Sequence, residues 1–84
     1  MTYAMGVDPS WCNGGDHAVA QVLSRDGRQV ATLSCNTGGE LLFFQKATEL
    51  ARHFNKAKVL VEGNPGGAGV VGIREFRKAG LPMW

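Results

Sequence analysis

Six stretches of patterned apolar residues, separated by glycine-rich or polar breaks, run along the chain. The first, Tyr3 to Asp8, is a short apolar run that ends at Asp8-Pro9, where proline pushes the chain into an extended or turning geometry. It predicts a strand, and the following Asn13-Gly14-Gly15-Asp16 predicts a loop with freedom for positive φ. Val19, Val22 and Leu23 recur among small residues over Ala18–Ser24, and residues 30–33 repeat the pattern after Arg25-Asp26-Gly27-Arg28. Asp26-Gly27 is a strong hairpin signal, because both central positions of a type I′ turn need positive φ. The second and third strands are therefore expected to form an antiparallel hairpin.

The rhythm then changes. Phe43, Ala47, Leu50, Ala51 and Phe54 fall at helical spacing on one face, while Gln45, Lys46, Glu49 and Arg52 point away. Thr37-Gly38-Gly39-Glu40 ahead of them matches a capping box, and Asn55 supplies a left-handed stop. Lys58-Val59-Leu60-Val61-Glu62 is apolar, valine-rich and too short for a helix, which predicts a buried fourth strand. After glycine-rich residues 63–69, Val70, Ile73 and Phe76 or Arg77 follow helical spacing, and Gly80 with Pro82 ends that second helix. The order is strand, hairpin, helix, strand, helix. Leu81-Pro82-Met83-Trp84 is apolar and lies where a further buried strand is expected to begin.

Composition narrows the classes. With 84 residues, 44% hydrophobic and 19% charged, the chain has room for one small folded domain over residues 1–84 and not for a second. Nine Lys plus Arg against seven Asp plus Glu leave a net charge of +2, which permits a nucleic-acid partner without demanding one. Cys12 and Cys35 lack metal-finger spacing and read as two reduced thiols in a cytosolic protein. No apolar stretch approaches a membrane span or a signal peptide, so the expectation is a cytoplasmic protein without a membrane partner.

Two acids carry candidate chemistry. Asp8 and Glu62 each close an apolar strand and are followed directly by Pro or Gly. If the hairpin reverses the chain twice and the helix carries it back, the first and fourth strands are parallel, and both carboxylates sit at one carboxyl edge. Open α/β sheets place their ligands at that edge. Neighbouring strands lie about 4.8 Å apart, so both acids can reach one cation. Oxygen ligands suit Mg²⁺ or Mn²⁺, which polarises a phosphodiester and activates water. The plain alternative is that each acid is an ordinary exposed strand terminus or a helix cap.

Gly6-Val7-Asp8-Pro9, Gly14-Gly15-Asp16, the Asp26-Gly27 hairpin and Val59-Leu60-Val61-Glu62-Gly63-Asn64, taken in order, resemble the nuclease domain of phage terminase large subunits. The resemblance spans nearly the whole chain and implies a ribonuclease-H-like α/β domain with a mixed sheet, C-terminally incomplete. It implies Asp8 and Glu62 as metal ligands and catalytic residues, Asp16 as a supporting acid and Asn64 as a group beside the metal. The family's remaining metal-binding acid is expected further downstream, and the P-loop of its ATPase motor has no counterpart here. The implied activity is Mg²⁺- or Mn²⁺-dependent endonucleolytic cutting of concatemeric double-stranded viral DNA in the host cytoplasm. The small terminase subunit and the portal protein are the family's partners. An inactive prophage remnant is the alternative, and Holliday-junction resolvases and actin-like ATPases share the strand-and-hairpin opening.

A rival motif is present. Gly67-Ala68-Gly69-Val70-Val71-Gly72 fits GxGxxG between a strand and a helix, the context of dinucleotide binding at a helix N-terminus. Against it, a hairpin and a helix come first, and the preceding strand ends in the charge of Glu62. Arg74, Arg77 and Lys78 share one helix face that can touch DNA phosphates, or they simply favour a helix C-terminus. His17 reads as a proton-transfer partner or an exposed strand end. Trp11 reads as a base-stacking platform or a cover for the core.

Overall fold

The computed structural model describes residues 2–12, 14, 17–62 and 67–84. Three strands, β1 (Tyr3–Asp8), β2 (Ala18–Ser24) and β3 (Gln29–Cys35), form an antiparallel meander. Helix α1 (Glu40–His53) carries the chain back to β4 (Lys58–Val61), which pairs parallel with β1, and α2 (Ala68–Lys78) follows. The protein is thus a small α/β domain with a four-stranded mixed sheet in the order β3-β2-β1-β4. Beyond β4, Val59 donates its amide to the Pro82 carbonyl and Trp84 donates to Val59, so Met83 bridges β4 in parallel.

The core lies on one face of the sheet. Met5, Val7, Ala20, Val22 and Val59 are fully buried there against Phe43, Phe44, Ala47 and Ala51 of α1 and Phe76 of α2. Burying each phenylalanine contributes about 1.5–3 kcal/mol. The rings of Phe43, Phe44 and Phe76 meet edge to face at centroid distances of 5.3 and 5.7 Å, and Tyr3 meets Phe54 in the same way at 5.1 Å. Strand alternation sends the intervening residues to the other face, where Leu23 and Leu60 remain exposed. The fourth strand is therefore buried on one face only, not on both as its valine-rich run suggests.

Three local expectations are corrected. The hairpin forms, but its turn is not type I′. Gly27 takes positive φ (+85°) and Asp26 does not, and the Gly27 amide closes a four-residue turn onto the Ser24 carbonyl at 2.9 Å. The Asp26 carboxylate accepts from the Ser24 hydroxyl and the Arg28 amide, which favours this wider turn. The capping box is absent as well. Helix α1 begins after Gly39 with no side-chain cap, because Gly38 and Gly39 take φ of +89° and +84° and carry the chain away from Thr37. The Thr37 carbonyl instead accepts from the Cys35 thiol at 2.9 Å.

The third correction is the buried face of α2. Ala68, Gly69, Gly72 and Phe76 face inward while Val70 is exposed. A methyl group placed on Gly72 would lie 2.6 Å from Phe44 Cζ, so the bare backbone is what lets the helices close. That approach also buries Phe44 and Thr48 on α1, beyond the face the spacing marks. The stop signals hold: Asn55 and Lys56 take left-handed φ after α1, and Gly80 does so after α2.

Candidate functional site

The site is built by register. Met5 pairs with Val59 and Val7 with Val61, and the Glu62 amide donates to the Val7 carbonyl at 2.7 Å. One step on, Asp8 and Glu62 leave neighbouring parallel strands side by side. Because Val7 and Val59 point into the core, alternation turns Asp8 and Glu62 to the opposite, open face. Both line one cleft of about 220 Å³, together with Gly6, Val19 and Gln21.

Each lining residue has a structural reason to be there. On β2, Val19 stands opposite Asp8 and Gln21 opposite Gly6. Gly6 brings no side chain, and nothing lies within 4 Å of where its Cβ would stand, so the floor of the cleft is open. Gln21 was not marked by motif reasoning, although strand alternation alone turns this one amide outward from an otherwise apolar and hydroxylic strand. The resulting donor set consists of two carboxylates with an amide oxygen nearby.

Oxygen donors of this kind fit a hard divalent cation, which binds through one or two carboxylates and keeps several waters. Among the described residues, no third acid, histidine or cysteine joins them in a metal-binding group. Asp16 and Asn64, the other two residues the terminase resemblance implies, lie outside the described residues.

The basic residues of α2 are not at this site. Arg74, Arg77 and Lys78 are exposed toward the C-terminal end of a helix on the opposite, covered side of the sheet, and none lines the cleft. Lys78 pairs with Glu75 at 3.5 Å, the ordinary i,i+3 arrangement near a helix end. His17 lies within 3.3 Å of the Ser34 hydroxyl on the open face. Trp11 is 48% exposed and rests against Gly67, where its ring is 3.5 Å from the glycine's Cβ direction. Of the GxGxxG motif, Gly69 and Gly72 are buried in the packing of α2 and Gly67 lies under Trp11. Those contacts account for the glycines without a nucleotide.

Compared with known proteins, the sequence matches no protein-family model and no curated protein. Function is therefore read from Asp8, Glu62 and their surroundings, since a fold alone does not specify chemistry. Among the described residues, no helix is long and apolar enough to cross a membrane.

Proposed function

We propose that this chain carries the metal-binding edge of a ribonuclease-H-like nuclease domain of the phage terminase large-subunit kind, acting on double-stranded DNA. The observation that supports it most is the shared cleft of Asp8 and Glu62 at the carboxyl ends of parallel β1 and β4. The antiparallel meander joined to a parallel fourth strand fits that fold, and so do the motifs at residues 6–9 and 59–64.

In this reading Asp8 and Glu62 hold Mg²⁺ or Mn²⁺ from adjoining strands, with Asp16 in support and Asn64 beside the metal. A cation held there would supply Lewis acidity toward a phosphodiester and activation of water for its hydrolysis. The protein's own part is positional: the Glu62 amide, tied to Val7, fixes one carboxylate, and the Asp8–Pro9 strand end fixes the other. Gly6 leaves room above the strand for a phosphate to approach. The family's cutting of concatemeric DNA in the host cytoplasm, with a small terminase subunit and a portal protein as partners, is the corresponding biological role.

Plasmid nicking tests it. With Mn²⁺ the chain is expected to convert supercoiled plasmid to open circles, and Asp8→Asn and Glu62→Gln each to reduce the rate on the order of a hundredfold or more. Plasmid that stays supercoiled at every Mn²⁺ concentration overturns the nuclease reading and favours an inactive remnant.

A further inference from the structure

The two cysteines, far apart in sequence, are brought together by the same backbone contacts that seat the start of the β1–β2 connection. Cys35 ends β3, and Cys12 lies four residues beyond Asp8. The Cys12 carbonyl accepts from the Gly39 amide at 3.1 Å, and the Gly14 amide donates to the Asn36 carbonyl at 2.6 Å. These two bonds hold the backbone at Cys12 and Gly14 against residues 36–39. The Cys12 thiol donates to the Cys35 carbonyl at 3.4 Å, which sets the two cysteines against each other. Cys12 is almost wholly buried (1% exposed), with positive φ (+52°), while Cys35 is half-buried.

This asymmetry matches the division of labour in a dithiol that closes by exchange. We propose that Cys12 and Cys35 form an intramolecular disulfide when the protein meets a small oxidised disulfide such as glutathione disulfide. The half-exposed Cys35 thiolate attacks one glutathione sulfur, forming a mixed disulfide and releasing one glutathione thiolate. The buried Cys12 then attacks the Cys35 sulfur and expels the second glutathione. The protein loses two thiol protons and two electrons, and the small disulfide is reduced to two thiols. Burial pushes the Cys12 thiol above its usual range, with the Ser10 hydroxyl pulling it partly back. Cys12 therefore stays a resolving thiol rather than the first to react.

The bond clips the start of the connection after Asp8 to the end of β3. It is a property of the fold and does not depend on a metal or on DNA. The folded 84-residue chain, equilibrated in glutathione buffers of rising oxidised fraction, is expected to become a single species lighter by two hydrogens. Arg25 and Arg28 lie between the cysteines, so trypsin leaves them on separate peptides that should be joined by the bond. The thermal midpoint should rise, and dithiothreitol should reverse both changes. Cys12→Ser should stall with glutathione on Cys35. Cys35→Ser, a change at the less buried position, should leave Cys12 unmodified. A wild-type chain that stops at a glutathione adduct on Cys35, or that links only between molecules, overturns the proposal.

Discussion

Gly72 sets how closely the two helices approach, and Phe44 is what it admits. Gly72→Ala gains up to about 1 kcal/mol of helix propensity. The methyl must displace a buried aromatic ring, at a cost of about 1–3 kcal/mol. A net loss of stability in urea unfolding is expected, and a smaller loss in a Phe44→Leu background, since the two residues share one contact. An equal loss in both backgrounds would show that Phe44 is not the obstacle. Asp26 offers a second local test. The Ser24 hydroxyl, then the Arg28 amide, hold its carboxyl below the usual 3.8. Its contribution to stability is therefore fully present above that value and fades as pH falls through the lowered one. Asp26→Asn should flatten this acid-side dependence in pH-resolved thermal melts. Helical spacing marks a second helix through Val70, Ile73 and Phe76 or Arg77, but Val70 is exposed, since bulk is easier to read than the absence of a side chain. Apart from Phe76, the packing surface of α2 is made of Ala68, Gly69 and Gly72, which carry no hydrophobic period of their own.

The elements were legible where one rhythm dominated and misread at their ends. The meander, α1 and the parallel β4 follow from alternation, helical spacing and the obligatory crossover. The cap of α1 and the hairpin turn were decided instead by backbone conformations at Gly27, Gly38 and Gly39, which residue letters permit but do not require. The outer side of β4 is a further case. There Pro82 and Trp84 exchange hydrogen bonds with Val59, and Lys58 stands 4.6 Å from the Trp84 ring centre. Ending the chain at Leu81 removes two backbone hydrogen bonds, each contributing about 0.5–1.5 kcal/mol. Hydrogen exchange at the Val59 amide should accelerate accordingly, more than at Met5 in the middle of the sheet. An unchanged Val59 rate would mean that the terminal residues do not pair with β4 in solution.

The radius of gyration, 11.7 Å, is close to the roughly 12 Å expected of a compact domain of this length. Within that body the helices cover one face of the sheet, and Asp8 and Glu62 open onto the other. Their juxtaposition was readable from sequence, because both acids end strands whose parallel pairing follows from topology. Gln21 and the open floor at Gly6 were not, since Gln21 belongs to no motif and the room at Gly6 acquires meaning only through the register of β1 with β2. Paramagnetic broadening of backbone amide signals by substoichiometric Mn²⁺ tests the shared cation site most directly. Loss of the Asp8, Glu62 and Gln21 signals is expected, competed by Mg²⁺ and abolished separately by Asp8→Asn and by Glu62→Gln. Broadening that persists in both variants, or that centres on other residues, would contradict it.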